Sequence, residues 1–216
     1  MEKLLIPFGL VLTALFAIGI VFLGGGPAFL HRPVAVTDLI LWVAWWVVII
    51  LLRPQGVASE HEQKQRGLMA ATGVVMVLLI LVPPYEYAHC NGPIPRDTAL
   101  AWAGLALFAA GVYLQAASMR ALQGLYTKRL GIQPGHRLIT SGPYRFFRHP
   151  GYSSHLLCML GIGLALSSLA ALALTLAMIP LLILRIRGEE AMLLDAFGEE
   201  YRRYLEKTKR LLPIIY

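Results

Sequence analysis

Charge is what this sequence has least of: of 216 residues only 14% are Asp, Glu, Lys or Arg, whereas 57% are hydrophobic and the mean hydropathy is +0.65. Such a composition excludes a disordered tail and does not suit a water-soluble globule. Cysteine is nearly missing too. Cys90 and Cys158 fall in a connecting loop and inside an apolar run, which excludes a disulfide framework. There is no Gly-rich phosphate loop, no Ser/His/Asp set and no paired-Cys motif, which argues against nucleotide hydrolysis, serine chemistry and structural zinc. Basic residues outnumber acidic ones, 19 to 12. They collect between long apolar runs rather than along a stripe of their own, so the partner they indicate is a membrane and its lipids, not a nucleic acid.

Four apolar runs, 4–22, 36–52, 68–82 and 98–118, each hold roughly 15 to 21 residues, close to the ~20 that cross a bilayer. The first lacks an Ala-x-Ala cleavage site and three more come after it, so it reads as an anchor and not as a cleaved signal. The run 152–184 is different. As one helix it would be about 50 Å long against a ~30 Å hydrocarbon core, and Ser167 and Ser168 interrupt it. A hairpin of two helices fits, rich in Gly161, Gly163, Ala165, Ala171, Ala173 and Ala177, small residues that allow close helix approach. The sequence therefore predicts an all-α integral membrane protein with about six transmembrane helices, the last two a helical hairpin. It divides into a four-helix region, 1–118, and a region 119–216 made of a loop, the hairpin 152–184 and a C-terminal helical segment, 185–216. Alternate connections carry seventeen and two of the basic residues, which places both termini, and the polar segments flanking the hairpin, on the cytoplasmic side.

Those polar segments hold the chemistry-bearing residues. In 135–152, two prolines fix φ and push Gly142 and His149 out of the helical region, giving a shaped loop with His, Tyr and Arg side chains close together. Glycines there permit close backbone approach to a ligand. At the exit of the last span, Arg185 and Glu189 stand four apart on one helix face. The planar guanidinium fork suits a carboxylate or phosphate, and the carboxylate suits an ammonium or a ribose hydroxyl. Alone, such a pair is worth only a few tenths of a kcal/mol to a helix. His155, with no second ligand at metal spacing, reads as a packing or hydrogen-bonding residue, and Trp42, Trp45 and Trp46 as facing lipid or a neighbouring helix.

Taken together, His136-x-Leu138-Ile139-Thr140-Ser141-Gly142-Pro143-Tyr144, Arg148-His149-Pro150-x-Tyr152, Arg185-x-x-x-Glu189-Glu190, Phe197-Gly198-Glu199-Glu200-Tyr201 and a Leu212-Pro213-Ile214 ending resemble the isoprenylcysteine carboxyl methyltransferase family and its phospholipid methyltransferase relatives. The resemblance covers about the last eighty residues. It implies S-adenosylmethionine as donor, held without a metal in a pocket capped by the C-terminal segment and open laterally to the membrane. Carried over by position, His136, Arg137, Leu138 and Ile139 would line the cofactor, with Gly142 in the same loop. Tyr144 would pack against it, His149, Pro150, Gly151 and Tyr152 would complete that wall, and Glu189 would hold a polar end. Arg185 falls on the family's acceptor-positioning arginine, which with Glu189 makes the expected catalytic pair.

The acceptor implied is a lipophilic small molecule reached from the bilayer, foremost the carboxylate of an isoprenylcysteine-like compound. A phospholipid amine or a small thiol is the alternative. A carboxylate is ionised at pH 7 and needs no general base; an amine or thiol would need one, and Glu190, His149 or Tyr144 could serve. An NADPH-dependent sterol-type reductase shares an Arg-His-Pro-x-Tyr loop, but here Gly151 and Ser153-Ser154 stand where such enzymes commonly carry Asn and Gly-Glu. A transporter subunit would be expected to show intramembrane charge, and only Asp38 lies near a span.

Overall fold

The computed structural model describes residues 2–52, 66–90, 95, 96, 98–122 and 138–211. His136, Arg137, the 212–214 ending and several of the loop cations that orient the chain lie outside the described residues. Among the described residues the chain is helical, apart from one isolated parallel bridge. The helices are α1 (Glu2–Leu23), the single turn α2 (Pro27–Leu30), α3 (Pro33–Leu51), α4 (Arg66–His89) and α5 (Ala99–Ala121). A 3-10 turn (Gly142–Arg145) precedes α6 (Pro150–Ala165) and α7 (Leu169–Lys207). Four of them, α3, α4 from Gly67, α5 and α7, are long and apolar enough to cross a membrane; the apolar stretch Gly9–Leu23 is shorter. Proline occupies the first helical turn of α2, α3 and α6, where its missing N–H is no loss.

The run 152–184 is indeed divided at its serines. Ser167 adopts a positive φ of 53°, and Ser168 caps α7 by accepting a 3.0 Å hydrogen bond from the Ala171 amide. The Glu86 carboxylate of α4 joins that cap, accepting from Ser168 Oγ at 2.5 Å and the Ala170 amide at 3.2 Å. An anion at a helix N-terminus is favoured by the unpaired amides there. From this corner α7 runs as far as Gly198, where non-helical backbone angles bend it; the stretch 169–197, at ~1.5 Å per residue, is about 43 Å and longer than a ~30 Å bilayer core. Its apolar part, 169–184, passes without a break into the polar face that carries Arg185 and Glu189.

The helices pack most closely where α5 crosses α6. A Cβ on Gly161 would stand 2.7 Å from the Gly104 carbonyl oxygen and 2.7 Å from the Phe108 amide nitrogen. One on Gly104 would lie 2.6 Å from the Ala165 nitrogen. These are backbone atoms, so any side chain must push the helices apart, and without a hydrophobic drive between spans that contact is the main source of association. Gly161→Val is therefore expected to destabilise the fold by at least the ~1–3 kcal/mol typical of overpacking, read as a lower Tm in detergent. Gly163, Ala165 and Ala171 are also in tight or fully buried packing. Ala173 and Ala177, expected to serve the same end, instead face outward, because the inner stripe of α7 runs through Ala171, Thr175, Met178 and Leu182.

Candidate functional site

Between α3, α4, α5, α6 and α7 lies a cavity of about 460 Å³. At its apolar end are Trp42, Trp45, Trp46 and Ile49 of α3 and Met76, Leu79 and Ile80 of α4. The tryptophans, expected to face lipid or a neighbouring helix, meet neighbouring helices, Trp42 against Phe16 of α1 and Trp45 against His155 of α6, and line this cavity as well. Its polar end is built from the 138–152 segment and the exit of α7. Leu138, Ile139, Tyr144, His149, Gly151, Tyr152, Arg185 and Glu189, all singled out in the sequence, line one volume. Gly142 is exposed with φ 59° in the 3-10 turn, and buried Pro150 starts α6; both shape the loop, and neither lines the cavity.

The Arg185 and Glu189 side chains are joined through a third group. Tyr152 Oη accepts from Arg185 Nε at 2.8 Å and donates to Glu189 Oε2 at 2.9 Å. Each charged group is thereby oriented by the same hydroxyl. His149 Nδ1 lies 3.7 Å from Glu189 Oε2, and its Nε2 is 3.4 Å from Glu190 Oε1 without hydrogen-bond geometry.

Behind this first row is a clasp. Arg148 donates from Nε to Glu190 Oε1 at 3.0 Å, and from Nη1 to the Leu205 carbonyl at 3.0 Å and to the Thr208 carbonyl. Arg210 donates to Glu190 Oε2 through Nε and Nη2, both at 2.8 Å. Backbone bonds finish it: Arg148 N to Lys209 O at 2.8 Å, His149 N to Arg210 O at 3.1 Å and Lys209 N to Phe146 O at 3.2 Å. Burial alone would raise the Glu190 carboxyl, but contacts with His149, Arg210 and Arg148 outweigh it and bring it down to about 2. Charge-assisted bonds around the buried Glu190 carboxylate tie the C-terminal segment over the loop.

Gly198, with φ 50° and ψ −119°, interrupts α7 in a conformation suited to glycine, and the turn it makes returns Tyr201 and Tyr204 to the cavity. Tyr204 Oη donates to the Tyr144 carbonyl at 2.7 Å, fixing the loop. Tyr201 Oη and His149 Nε2 are buried without a hydrogen-bond partner. Such atoms cost free energy in a folded chain unless a ligand completes them. Deeper in, Ser154 Oγ donates to Gln115 Oε1 at 2.6 Å across α5 and α6, and His155 stacks edge-on against Trp45 at 4.9 Å. His155 Nδ1 is 2.6 Å from the Gly151 carbonyl. Among the described residues no three His, Cys, Asp or Glu side chains come together as metal ligands.

Sequence reasoning missed Arg148, Gln115 and Tyr201 as site residues. Arg148 and Tyr201 stand in the motifs quoted above without a role of their own, and nothing local marks Gln115 within the apolar run 98–118.

Fold and site define an all-helical, multi-pass integral membrane protein whose internal cavity runs from the apolar spans to a charged cluster at one end. Residues 103–195 match the model of the Isoprenylcysteine carboxyl methyltransferase (ICMT) family. A probable protein-S-isoprenylcysteine O-methyltransferase of Oryza sativa subsp. indica is 40% identical over 88 residues, 40% of this chain and 46% of that one. The cobalt-zinc-cadmium resistance protein CzcN of Cupriavidus metallidurans is 42% identical over 77 residues, 35% of each chain. The chain thus spans less than half the length of these relatives. The solved structure of the eukaryotic intramembrane Ras methyltransferase ICMT shares the fold, with a TM-score of 0.61 over 94% of this chain and 74% of that one at 19% identity.

Proposed function

We propose that this chain is an integral membrane methyltransferase that takes S-adenosylmethionine as donor and a lipophilic acceptor from the bilayer, foremost an isoprenylcysteine-like carboxylate. The observation that carries the reading is one continuous cavity, walled by Trp42, Trp45 and Trp46 at one end and by the Tyr152-bridged Arg185 and Glu189 at the other, inside the family-matched region for its polar half. Region 119–216 carries the chemistry in this reading, and 1–118 supplies the apolar wall.

The residues present fit the donor. Of the three buried side-chain polar atoms without a hydrogen-bond partner among the described residues, two, His149 Nε2 and Tyr201 Oη, belong to residues that border the cavity with Glu189; the third is Asp38 Oδ1 of α3. Leu138, Ile139 and Tyr144 offer an apolar and aromatic wall for a purine, and Gly151 and Tyr152 close the side toward α6; His136 and Arg137 belong to the same proposed wall. The donor supplies an already activated sulfonium methyl. What the protein adds is alignment and exclusion of water, which is positioning catalysis. Arg185 holds the acceptor's carboxylate with its fork, and Glu189 keeps that guanidinium in register through Tyr152.

S-adenosylmethionine is expected to raise the Tm of the detergent-solubilised protein, and NADPH to leave it unchanged. Tyr144→Ala or His149→Ala should weaken donor binding about tenfold or more, the worth of one lost contact, while Lys207→Ala, at an exposed position, should not. Equal effects at all three would show the loop to be ordinary surface.

The reading includes six spans with both termini and the site cytoplasmic, supported by the seventeen-to-two division of basic residues. A reporter fused after Tyr216 should behave as cytoplasmic; extracytoplasmic activity would overturn the orientation.

A further inference from the structure

Between Asp97 and Glu189 the sequence holds no acidic residue, and the connection 119–150 within that stretch carries six basic ones. Such a connection has no counterion of its own. Arg148 is neutralised from outside it, by Glu190 of α7. Arg120, in the last turn of α5, and Arg145, at the end of the 3-10 turn, are exposed and meet no carboxylate among the described residues.

The spans set the level of these cations. A Cβ on Gly142 would stand 3.2 Å from Ala121 Cβ, so the 3-10 turn rests on the end of α5, and α6 starts at Pro150. The turn therefore lies where spans leave the apolar core, at the height of lipid headgroups. Next to Arg145 stands Phe146, 61% exposed and the one large hydrophobic side chain so exposed among the described residues of 138–149 and 185–211. The Arg145 guanidinium lies over its ring at 5.9 Å. A ring beside a guanidinium suits this level, since the ring can enter the boundary between headgroups and acyl chains while the cation meets phosphate.

The same turn serves the cavity from its other side. Tyr144 lines the cavity while Arg145 and Phe146 face outward. The Phe146 carbonyl also accepts the Lys209 amide at 3.2 Å, which joins the turn to the C-terminal segment. Whatever fixes its outer face fixes its inner one.

We infer that the outer face of this turn binds anionic phospholipid headgroups, through Arg145 and Arg120 with Phe146 as apolar anchor, and that its occupancy sets donor affinity by fixing Tyr144. This rests on the polar end of the cavity being the donor site of the proposed methyltransferase. It goes further by making the charge of the surrounding leaflet a regulator of that site. A loop of one sign repels itself, and an anion bound to it removes the repulsion.

The test is equilibrium binding of labelled S-adenosylmethionine to the full chain in phosphatidylcholine nanodiscs with and without phosphatidylglycerol, at low salt. The Kd should be about fivefold lower with phosphatidylglycerol, the worth of one cation at an anionic surface. That difference should close in about 1 M NaCl, where exposed charges are screened beyond ~3 Å. Arg145→Gln/Phe146→Ser should lose most of the difference and keep the wild-type affinity in phosphatidylcholine. Should that variant not accumulate, Arg120→Gln alters the other exposed cation and should reduce the difference in the same direction. Equal affinity in the two discs, or a lipid dependence undiminished in either variant, overturns the inference. Glycerol 3-phosphate added to phosphatidylcholine discs should leave the Kd unchanged; if it restores the tighter binding, the turn takes a soluble phosphate and the headgroup assignment falls. The phosphatidylglycerol that stays with the protein on extraction into mild detergent is measured in parallel by mass spectrometry, without donor. Donor binding in none of the discs, together with phosphatidylglycerol retention that Arg145→Gln/Phe146→Ser abolishes, would defeat the proposed function and leave the headgroup site standing.

Discussion

Arg185→Lys is expected to lower kcat for methyl transfer by about a hundredfold, the scale of a misplaced reacting group, while the Kd for S-adenosylmethionine moves by less than about threefold. The charge survives the substitution and the geometry does not. Arg185 Nε is already committed to Tyr152 Oη at 2.8 Å, so the rest of the guanidinium is aimed by that bond, and the fork is what matches a planar carboxylate. An ammonium on a flexible stem can reach either the tyrosine or the acceptor, without fixing their relative position. Arg185, Tyr152 and Glu189 are half-buried, and in such surroundings an electrostatic contact is stronger than in water. Donor affinity should be spared because Tyr152 can donate its proton to Glu189 Oε2 whether or not a cation donates to its oxygen, and because His149 is held apart from Arg185 by its amide bond to the Arg210 carbonyl. Single-turnover rates at saturating donor and equilibrium donor binding separate the two quantities. If Arg185→Lys instead abolished donor binding and left turnover intact at saturating donor, the arginine would belong to the donor side.

The features legible in the sequence are those that depend on local order. Arg185 and Glu189 share a face because they are four apart on a helix, and the serine pair marks the corner because the Ser168 hydroxyl can cap the first turn of α7. The groups that complete the site depend on distant pairing. Tyr152 meets residues 33 and 37 positions away, and Arg148 reaches carbonyls 57 and 60 positions away. No periodicity announces such contacts. The direction in which Trp42, Trp45 and Trp46 point was hidden for another reason. A span that is apolar all round has almost no amphipathic contrast, so nothing in α3 distinguishes a lipid-facing side from a cavity-facing one. Its orientation is decided by neighbours: Trp45 turns toward His155, and Trp42 meets Phe16 of α1 as well as Trp46.

Glu190→Gln should cost about 3–5 kcal/mol, the usual loss when one partner of a buried charge cluster is removed. The carboxylate is 10% exposed and receives Arg148 on one oxygen and Arg210 on the other. An amide can accept one of these bonds but brings an N–H₂ against the second guanidinium, leaving two cations facing each other with no anion between them. Because Arg148 also holds the Leu205 and Thr208 carbonyls, the loss spreads to the segment that lies over the loop. The expected readouts are a Tm roughly 10 °C lower and faster tryptic cleavage at Lys207 and Lys209. The pH dependence gives the cause its signature. The folded carboxyl sits at about 2 against an ordinary value of 4.5, so its stabilisation is fully present above about pH 4.5 and is lost as the pH falls toward 2. Wild type and Glu190→Gln should therefore differ most at neutral pH and converge as the medium is acidified below about pH 4. A variant with unchanged Tm and protease resistance, or a gap that stays constant down to about pH 3, would mean that Glu190 does not hold the segment through its charge and that the backbone ladder at 146–149 and 209–210 suffices.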